Sequence, residues 1–455
     1  MMRPMTLSEL VAPLAGTLIG ADREFTGVST DSRKIVPGDL FVALRGENFD
    51  GHDYLAQVAD AGAVALLISR QTDIKLPALL VADTQRALGR LGSHNRKLFT
   101  GPVVAITGSS GKTSVKNMTR AVLAQRGRTL ATEGNLNNEI GVPLTLLALA
   151  PDADFAVVEM GAGKVGDIAW LCELGRPSIA VLLTVLPAHL QGFGNVEAIA
   201  EGKGEIFDGL KQGDFAVINA DLPWAARWRE RAGAATVLDF SLNAPAAIRA
   251  TSLRARGTRG IDFSAATPQG EIAVKLSLPG AHNVANALAA IAVGLACGLR
   301  LEEIRAGLEL VQPTAGRLSS AVAHSGATVI DDCYNANPGS VRAAIDMLAG
   351  CDGRRSIVLG AMRELGPGSE ALHREVGEYA ALAGLERFWG VGPELRAAVA
   401  GFGQNGRWFP DCETAIAAAA TEFGSGDTVL VKGSRGARME RVLHALLGSA
   451  PAGEV

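Results

Sequence analysis

The middle of the chain alternates short apolar runs with stretches in which apolar residues recur at helical spacing. The strand-like runs are "GPVVAITG", "DFAVVEM", "SIAVLLTVL" and "DFAVINA". After the first run, Val115, Met118, Val122 and Leu123 fall on one face of a helix. Strands and helices that alternate in this way predict a parallel sheet covered on both faces.

The same alternation starts again in the last third of the chain. Its strand-like runs are "ATVIDD", "RSIVLG", "RFWGVG" and "DTVLVKG". The preceding segment "VQPTAGRLSS" contains Pro313 and Gly316 and has no apolar periodicity. We therefore predict a domain boundary near residue 314 and a second α/β domain, Rossmann-like in class, over residues 314–455.

The first hundred residues have a different pattern of apolar and polar residues. Shorter runs, "GDLFVALRG" and "AVALLIS", flank a helical "YLAQVADAGA", and glycine and proline punctuate them. No glycine loop typical of nucleotide binding is present there. We predict a smaller α/β domain over residues 1–100 and a central domain over residues 101–313.

Composition and charge narrow the class of protein. The chain has 455 residues, of which 48 % are hydrophobic and 20 % charged, as expected of a folded protein with several domains. Its net charge of −4 argues against a general nucleic-acid binder, which needs a basic face. Apolar runs such as "IAVLLTVL" are shorter than the ~20 residues that span a bilayer. We expect no nucleic-acid partner and no membrane span.

The N-terminus and the cysteines predict a location. "MMRPMTLSEL" lacks the charged start and long apolar core of a signal peptide. The five cysteines are scattered and form no C-x-x-C pair, which fits a reducing cytoplasm better than a disulfide framework or a zinc site. We predict a cytoplasmic protein.

The loop after the first central strand carries the clearest chemistry. "TGSSGKTS" follows a strand and opens a helix, with Gly111, Lys112 and Thr113 as a phosphate-binding loop has them. The usual pattern is G-x-x-x-x-G-K-[ST], but Ile106 stands where its first glycine belongs, so this loop is shorter. In this context backbone N–H groups and the helix dipole favour phosphate oxygens. We predict that Lys112 binds phosphates and that the Thr113 hydroxyl binds Mg²⁺.

Two later strands end in side chains that belong at the same sheet edge. Glu159 ends "DFAVVEM", where ligands of open α/β sheets bind, and a carboxylate suits Mg²⁺. A solvated acid at a strand end is the alternative. His189 follows the next strand, although a lone histidine is more often structural. Lys203, between Glu201 and Glu205, is by itself most simply a member of a surface charge cluster.

Further along, amides mark other candidate contacts. Asn283 and Asn286 lie three apart at a helix start, where they either read an adenine edge or cap the helix. "DDCYNANPGS" and "KGSRGARM" follow strands of the last domain and are typical of loops that hold a polar ligand.

Together these segments resemble the Mur ligases, which build the peptide of bacterial cell-wall precursors. The shortened loop T-G-S-S-G-K-T has the family's form, and further matching stretches occur in order along the chain. They are "GNLNNEIGVPLTLL", "EMGA", "AHLQGFG", "GKGEIF", "PGAHNVANALAA", "DDCYNANPGS" and "VKGSRGARM". "NLNNEIG" and "YNANPGS" are similar to the branch that adds D-alanyl-D-alanine, and "STDSRKIVPGDLFVALRGENFDGHDY" is similar to its N-terminal domain.

The resemblance implies a function for each domain. An ATP-dependent ligase would join D-Ala-D-Ala to the terminal carboxylate of UDP-N-acetylmuramoyl-tripeptide, with ATP and Mg²⁺ as cofactors and a monomer as the expected state. The N-terminal domain would bind the UDP-sugar through Ser29, Asp31, Ser32, Arg33, Asn48 and Asp50. ATP would contact Gly108, Ser109, Ser110, Gly111, Lys112, Thr113, Ser114, Asn283, Asn286, Arg317 and Asp332.

The remaining implied residues concern the substrate path and the metal ions. Substrate would contact Asn135, Asn137, Asn138, Asn335 and Asn337. Thr113 and Glu159 would bind one Mg²⁺, and His189 with a carbamylated Lys203 would serve a second. Lys112, Glu159, His189 and Lys203 would then be the catalytic residues.

The chain departs from the family pattern in the loop around Ala361. Two other functions remain as alternatives to the Mur ligase activity. Ala361 stands in "LGAM" where family members commonly have an acid, L-G-D-M. One alternative is a folylpolyglutamate synthase of the same superfamily, which lacks the UDP-binding N-terminal domain. The other is a non-catalytic nucleotide-binding protein, which would need no Glu159, His189 and Lys203 at one sheet edge.

Overall fold

Three sheets with mostly parallel strands follow one another along the chain and carry the fold. The computed structural model describes residues 2–448. Helices lie against each sheet, which confirms the predicted α/β class. None of the helices described within residues 2–448 is long and apolar enough to cross a membrane.

The N-terminal sheet has five strands in the order β2-β7-β6-β5-β4, and only β2 runs antiparallel to its neighbour. The elements are β1 (Met5–Thr6), α1 (Leu7–Leu14), β2 (Thr17–Ile19), β3 (Glu24–Phe25), β4 (Gly27–Ser29), β5 (Asp39–Val42), α2 (Leu55–Asp60), β6 (Ala65–Ile68), β7 (Ala78–Leu80) and α3 (Thr84–Arg96). The buried Asn95 of α3 donates its amide to the carbonyls of Leu146, Leu147 and Leu149 in the central domain. This contact satisfies carbonyl groups at the end of a helix and ties the two domains together.

The central sheet has nine strands in the order β16-β15-β14-β13-β12-β11-β8-β10-β9. Its elements are β8 (Val103–Thr107), α4 (Lys112–Leu123), β9 (Thr129–Ala131), α5 (Gly141–Leu147), β10 (Phe155–Glu159), α6 (Asp167–Gly175), β11 (Ile179–Leu182), α7 (Leu190–Phe193), α8 (Val196–Gly204), β12 (Phe215–Asn219), α9 (Ala225–Arg231), β13 (Thr236–Ser241), β14 (Ile248–Ala255), β15 (Ile261–Thr267), β16 (Gly270–Leu276), α10 (Ala281–Ala296) and α11 (Leu301–Glu309). The central strand β8 is fully buried, and apolar clusters cover both faces of the sheet.

Part of this sheet was not predicted. β14, β15 and β16 extend it, and the last two pair antiparallel, whereas the sequence patterns predicted a parallel sheet only. β15 and β16 alternate buried and more exposed residues, as expected of antiparallel strands with one face on the core. The helix predicted to start at Asn283 is confirmed as α10, which begins two residues earlier.

The C-terminal sheet has six strands in the order β17-β18-β22-β19-β20-β21, and only the edge strand β17 is antiparallel. Its elements are β17 (Ser319–Val322), β18 (Thr328–Asp332), α12 (Pro338–Ala349), β19 (Arg354–Gly360), α13 (Ser369–Leu382), β20 (Arg387–Val391), α14 (Arg396–Phe402), β21 (Gly406–Phe409), α15 (Cys412–Glu422), β22 (Asp427–Lys432) and α16 (Glu440–Leu447). The carboxyl ends of β18 and β22 lie side by side and face the central domain through their loops.

Candidate active site

A cavity of about 610 Å³ lies between the central and the C-terminal domain. Its walls come from the loops after β8, β10, β11 and β18, together with the start of α10 and the end of β22. Because the carboxyl ends of parallel strands meet at one edge, residues far apart in sequence converge here. The predicted residues that line it are Ser109, Ser110, Gly111, Lys112, Thr113, Ser114, Asn135, Asn137, Asn138, Glu159, His189, Lys203, Asn283, Asn286, Arg317, Asp332, Asn335 and Asn337.

The glycine loop has a backbone conformation that favours glycine at position 111. Gly111 has φ +88° immediately before α4, a region that side chains rarely occupy. A Cβ atom there would also lie 2.6 Å from the Asn286 side chain. Gly108, the remaining predicted loop residue, has φ +157° and lies at the start of the loop. The backbone N–H groups at the start of α4 are therefore exposed to a ligand at the place where a phosphate binds best.

Lys112 is held within this loop. Its Nζ atom donates to the carbonyl of Gly108 at 2.8 Å. Burial lowers the pKa of Lys112, and Arg317 acts in the same direction, whereas Glu159 opposes both. An anionic ligand in the cavity would restore the preference for the charged ammonium.

Thr113 and Glu159 form a ready pair of oxygen donors. The Thr113 hydroxyl donates to Glu159 Oε2 at 2.9 Å, and the Asn137 amide donates to Oε1 at 2.8 Å. Glu159 is 3 % exposed and its backbone N–H is bound by the Thr132 hydroxyl. One carboxylate and one hydroxyl fit Mg²⁺, which usually takes one or two carboxylates and completes its shell with water and substrate phosphate oxygens.

The C-terminal domain reaches into the loop through Arg317. Its guanidinium donates to the Thr113 hydroxyl at 3.0 Å and stacks 4.1 Å from the ring centroid of Tyr334. Asp332 instead pairs with the buried Lys432, whose ammonium also donates to the Asn335 carbonyl at 2.9 Å. Burial raises the pKa of Asp332, and Lys432 opposes that shift.

The paired amides of α10 share one face, as predicted. Asn286 donates to the Asn283 side chain at 3.0 Å, and Asn283 donates to the carbonyl of Pro279 at 2.8 Å. Both residues are buried, and Asn286 is packed against Gly111. The N-cap of α10 is Gly280, which has no side chain to cap the helix, and the Asn283 amide binds the preceding carbonyl while both amides line the cavity.

The amides of the C-terminal loop face the glycine loop. Asn337 caps α12 through the N–H of Ser340 and also donates to the Ser110 hydroxyl at 3.1 Å. Gly339 lies against Leu186 of the central domain, where a Cβ atom would approach Leu186 within 2.6 Å. The start of α12 therefore contacts the phosphate-binding loop directly across the domain boundary, and both line the cavity.

Lys203 is not in a surface charge cluster, contrary to the simplest interpretation of its neighbours. It is 1 % exposed and lines the cavity, with Nζ 5.8 Å from the ring centroid of Phe193. Glu201 pairs with Arg231 at 2.8 Å, and Glu205 accepts hydrogen bonds from the backbone of α6. The side chains of Glu201 and Glu205 therefore have other partners and do not line the cavity with Lys203. The pKa of Lys203 is lowered to about 7, mainly by burial and also by the charge of Lys112, whereas Asp167 opposes the shift.

His189 lies at the predicted sheet edge and contacts the other domain. Its Nδ1 atom is bound to the carboxylate of Glu364, and its backbone has φ +54°. Glu364 had no signal in the sequence, because the contact joins residues 175 positions apart. Sequence reasoning also missed Lys432, Thr184 and His282, all of which line the cavity.

The residues predicted to bind the UDP-sugar lie away from this cavity, on the N-terminal domain. Asp31 accepts two hydrogen bonds from the Arg33 guanidinium at 2.9 Å, and Ser29 donates to the Asp31 carbonyl. Asp50 is bound by both the backbone and the ring of His52. Ser32 and Asn48 lie in the two polar loops that hold these groups, and Asn48 is exposed.

Comparison with known proteins identifies the family. Residues 24–96 match the Mur ligase family catalytic domain, residues 106–294 the Mur ligase middle domain, and residues 316–435 the Mur ligase glutamate ligase domain. The UDP-N-acetylmuramoyl-tripeptide–D-alanyl-D-alanine ligase of Escherichia coli strain K12 is 46 % identical over 97 % of this chain and 98 % of its own length. The chain belongs to the Mur ligase family. The resemblance drawn from its motifs is confirmed.

Other relatives are similar to this Mur ligase over nearly their full length. The enzyme of the same name from Bacillus subtilis strain 168 is 33 % identical over 98 % of both chains. A crystal structure of MurF from Acinetobacter baumannii superposes with a TM-score of 0.93 at 34 % identity, covering 98 % of this chain and 100 % of that one. MurF ligase of Thermotoga maritima, solved in complex with ADP, gives a TM-score of 0.84 at 30 % identity over 93 % and 97 %.

A more distant neighbour shares the fold alone. Folylpolyglutamate synthase of Mycobacterium tuberculosis gives a TM-score of 0.64 at 20 % identity and covers 81 % of this chain.

Proposed function

We propose that this Mur ligase joins D-alanyl-D-alanine to the terminal carboxylate of UDP-N-acetylmuramoyl-tripeptide, with ATP converted to ADP and phosphate. The relatives that match over the full length carry this activity in their names. The observation that carries the proposal is one cavity in which Lys112, Thr113, Glu159 and Arg317 converge. These groups suit transfer of a phosphoryl group between two anions.

The first step makes the carboxylate reactive. A carboxylate oxygen attacks the γ-phosphorus of ATP, the bond to the β-phosphate oxygen breaks, and an acyl phosphate and ADP form. Both reactants are anions, so Lys112, Arg317 and the N–H groups at the start of α4 stabilise the charge that they bring together. Mg²⁺, when bound at Thr113 and Glu159, would neutralise further phosphate charge.

The second step forms the amide bond. The free amine of D-Ala-D-Ala attacks the acyl carbon, phosphate leaves, and the nitrogen loses a proton. The proposed dipeptide contacts are Asn335 and Asn337, which would hold the amine on the C-terminal side of the cavity. Domain contacts such as that of Asn337 with Ser110 would exclude water, which otherwise hydrolyses the acyl phosphate.

The two other groups with a proposed role in this chemistry are Lys203 and His189. A buried ammonium close to a second cation would be repelled, whereas a carbamate on Lys203 would supply two hard oxygens and a negative charge. The carbamate would form when the neutral amine of Lys203 adds to CO₂ and loses a proton, and the burial and low pKa of Lys203 favour that neutral amine. His189 would be the neighbouring ligand.

The proposed role of the N-terminal domain is to hold the UDP-sugar. Arg33 is mostly exposed, and Asp31 fixes the orientation of its guanidinium through Nε and Nη2, which leaves the Nη1 donors for a phosphate or a carboxylate. The proposed location of the enzyme is the cytoplasm, where ATP and the nucleotide-linked precursor are available. The five cysteines are free, which agrees with a reducing compartment.

A phosphate-release assay tests the proposal. The protein is incubated with ATP, Mg²⁺ and UDP-N-acetylmuramoyl-tripeptide, with and without D-Ala-D-Ala. Release that requires both the tripeptide and the dipeptide supports the proposal. Release that instead requires a folate and glutamate would support a folylpolyglutamate synthase, and nucleotide binding without release would indicate a non-catalytic protein.

A further inference from the structure

Two strained residues meet across the boundary between the central and the C-terminal domain. Among residues 2–448, six non-glycine residues have positive φ angles, and His189 (φ +54°) and Glu364 (φ +62°) are two of them. Such conformations are unfavourable for residues with a side chain and persist only where the surroundings over-determine them. Here the two residues are hydrogen-bonded to each other.

Glu364 holds the segment at His189 at two points. Its carboxylate binds Nδ1 of His189, and its backbone carbonyl accepts a hydrogen bond from the N–H of Leu190 at 3.1 Å. The side chain and the main chain of one residue therefore bind two consecutive residues of the other domain. A chance surface ion pair would involve the side chain alone.

The loop that carries Glu364 is anchored firmly in its own domain. The N–H of Met362 donates to Nε2 of the buried His373 at 3.1 Å, and the N–H of Arg363 donates to the Ser434 hydroxyl at 2.9 Å. The next residue, Leu365, is 3 % exposed and belongs to the domain core. The position of the Glu364 carboxylate thus follows the position of the whole C-terminal domain.

The hydrogen bond also decides which nitrogen of His189 is free. With Nδ1–H donating to a carboxylate, Nε2 is the ring nitrogen that keeps a lone pair. Histidines that ligate metal ions in proteins are commonly oriented by such a carboxylate on the other nitrogen. His189 lines the cavity that contains Thr113 and Glu159.

We propose that Glu364 is a positioning residue, which orients His189 and fixes its tautomer when the C-terminal domain docks. The proposal rests on the proposed function, in which His189 serves a metal ion. Under this proposal, His189 is oriented to bind a metal ion only when the C-terminal domain is docked on the central domain. The side chain of Glu364 itself contacts neither nucleotide nor substrate in this role.

The first test is a double-mutant cycle in the phosphate-release assay. We expect Glu364→Ala to lose about 10–100-fold in turnover, the usual effect of removing a residue that orients a metal ligand. His189→Ala should lose at least as much, and the double variant should be no worse than His189→Ala, because Glu364 acts through His189. Glu375→Ala is the matched control, since Glu375 has a side chain 50 % exposed against 53 % for Glu364 and pairs within its own domain.

The second test needs no substrate. Long-range ¹H–¹⁵N spectra of protein labelled on its seven histidines report the tautomer of each ring at pH 8.5, with His189→Ala supplying the assignment. We expect one tautomer, protonated at Nδ1, in the wild-type protein, because the Glu364 carboxylate can only accept a hydrogen bond. Glu364→Ala should show a mixture, while its thermal unfolding stays close to that of Glu375→Ala.

Three results would overturn the proposal. They are full turnover of Glu364→Ala, losses that multiply in the double variant, and an unchanged His189 tautomer in Glu364→Ala. If the unmodified protein itself releases no phosphate with D-Ala-D-Ala, the proposed function fails, and the spectra still decide whether Glu364 sets the tautomer of His189.

Discussion

The guanidinium of Arg317 donates a hydrogen bond to the hydroxyl of Thr113 at 3.0 Å, and 204 positions separate the two residues in the chain. Thr113 belongs to the phosphate-binding loop of the central domain, whereas Arg317 precedes the first strand of the C-terminal sheet. The same hydroxyl also donates to Glu159. One small side chain therefore joins the glycine loop, the acid of β10 and the other domain.

Arg317 should be needed both for turnover and for the closed arrangement of the domains. Arg317→Ala removes a cation from the cavity together with a contact across the boundary, so turnover should fall about 10²-fold. Small-angle X-ray scattering with a non-hydrolysable ATP analogue and the UDP-tripeptide should show compaction of the unmodified protein and less compaction of the variant. Arg374→Ala, on the exposed face of α13, is the control. Identical radii of gyration would argue for a fixed arrangement.

Lys112 should be essential for the phosphoryl step. Lys112→Ala removes the cation at the end of the glycine loop, so turnover should fall at least ~10²-fold, the scale of one lost charge-stabilising group. Steady-state phosphate release is the measurement, and Lys211→Ala, at an exposed site of the same domain, should behave like the unmodified enzyme. Near-normal turnover of Lys112→Ala would end the assignment of this loop to ATP.

Lys203 should be needed as a carbamate and not as a cation. Lys203→Ala should be nearly inactive, and added short-chain carboxylates should restore part of the activity, because they return the lost oxygens. Lys203→Arg keeps a positive charge but cannot form a carbamate, so it should be as poor as Lys203→Ala. Turnover is measured for both variants with and without acetate. Full activity of Lys203→Arg would show that a cation is enough.

Arg33 should affect binding of the UDP-substrate alone. The side chain is 80 % exposed on the N-terminal domain, and Asp31 holds its guanidinium in place. Arg33→Ala should raise KM for UDP-N-acetylmuramoyl-tripeptide about tenfold or more, with kcat and KM for ATP unchanged, since it removes binding shared by ground and transition states. Arg23→Ala, exposed on the same domain, serves as the control. A changed KM for ATP would contradict this assignment.

Gly307 should be needed for the packing of the helix that carries the phosphate-binding loop. A Cβ atom at Gly307 of α11 would lie 2.5 Å from the Cα atom of Val122 in α4, so Gly307→Ala must push two helices apart. The expected loss is about 1–3 kcal/mol in the free energy of unfolding of the central domain, as for other overpacked sites. Gly209→Ala meets nothing within 4 Å and should be neutral. Calorimetric unfolding compares the two, and equal midpoints would contradict the prediction.

Local patterns were enough for the elements that bear the phosphate chemistry. The run before the glycine loop, the loop itself and the amphipathic α4 are contiguous, so their spacing alone predicted a strand, a phosphate-binding turn and a helix. Glu159 was likewise predicted at a sheet edge, because a parallel sheet brings its carboxyl ends together whatever the exact strand order. The pairing of Asn283 with Asn286 followed from helical spacing.

Two features were decided only by the tertiary structure. They are the burial of Lys203 and the hydrogen bonds of Glu364 with His189 and Leu190. A lysine between two glutamates predicts an exposed charge cluster. The sequence does not show that Glu201 pairs with Arg231 or that Glu205 accepts hydrogen bonds from the backbone at the start of α6. Contacts between His189 and Glu364 or between Thr113 and Arg317 depend on how whole domains dock. That geometry comes from many distant packing contacts, whereas motif spacing records only neighbours along the chain.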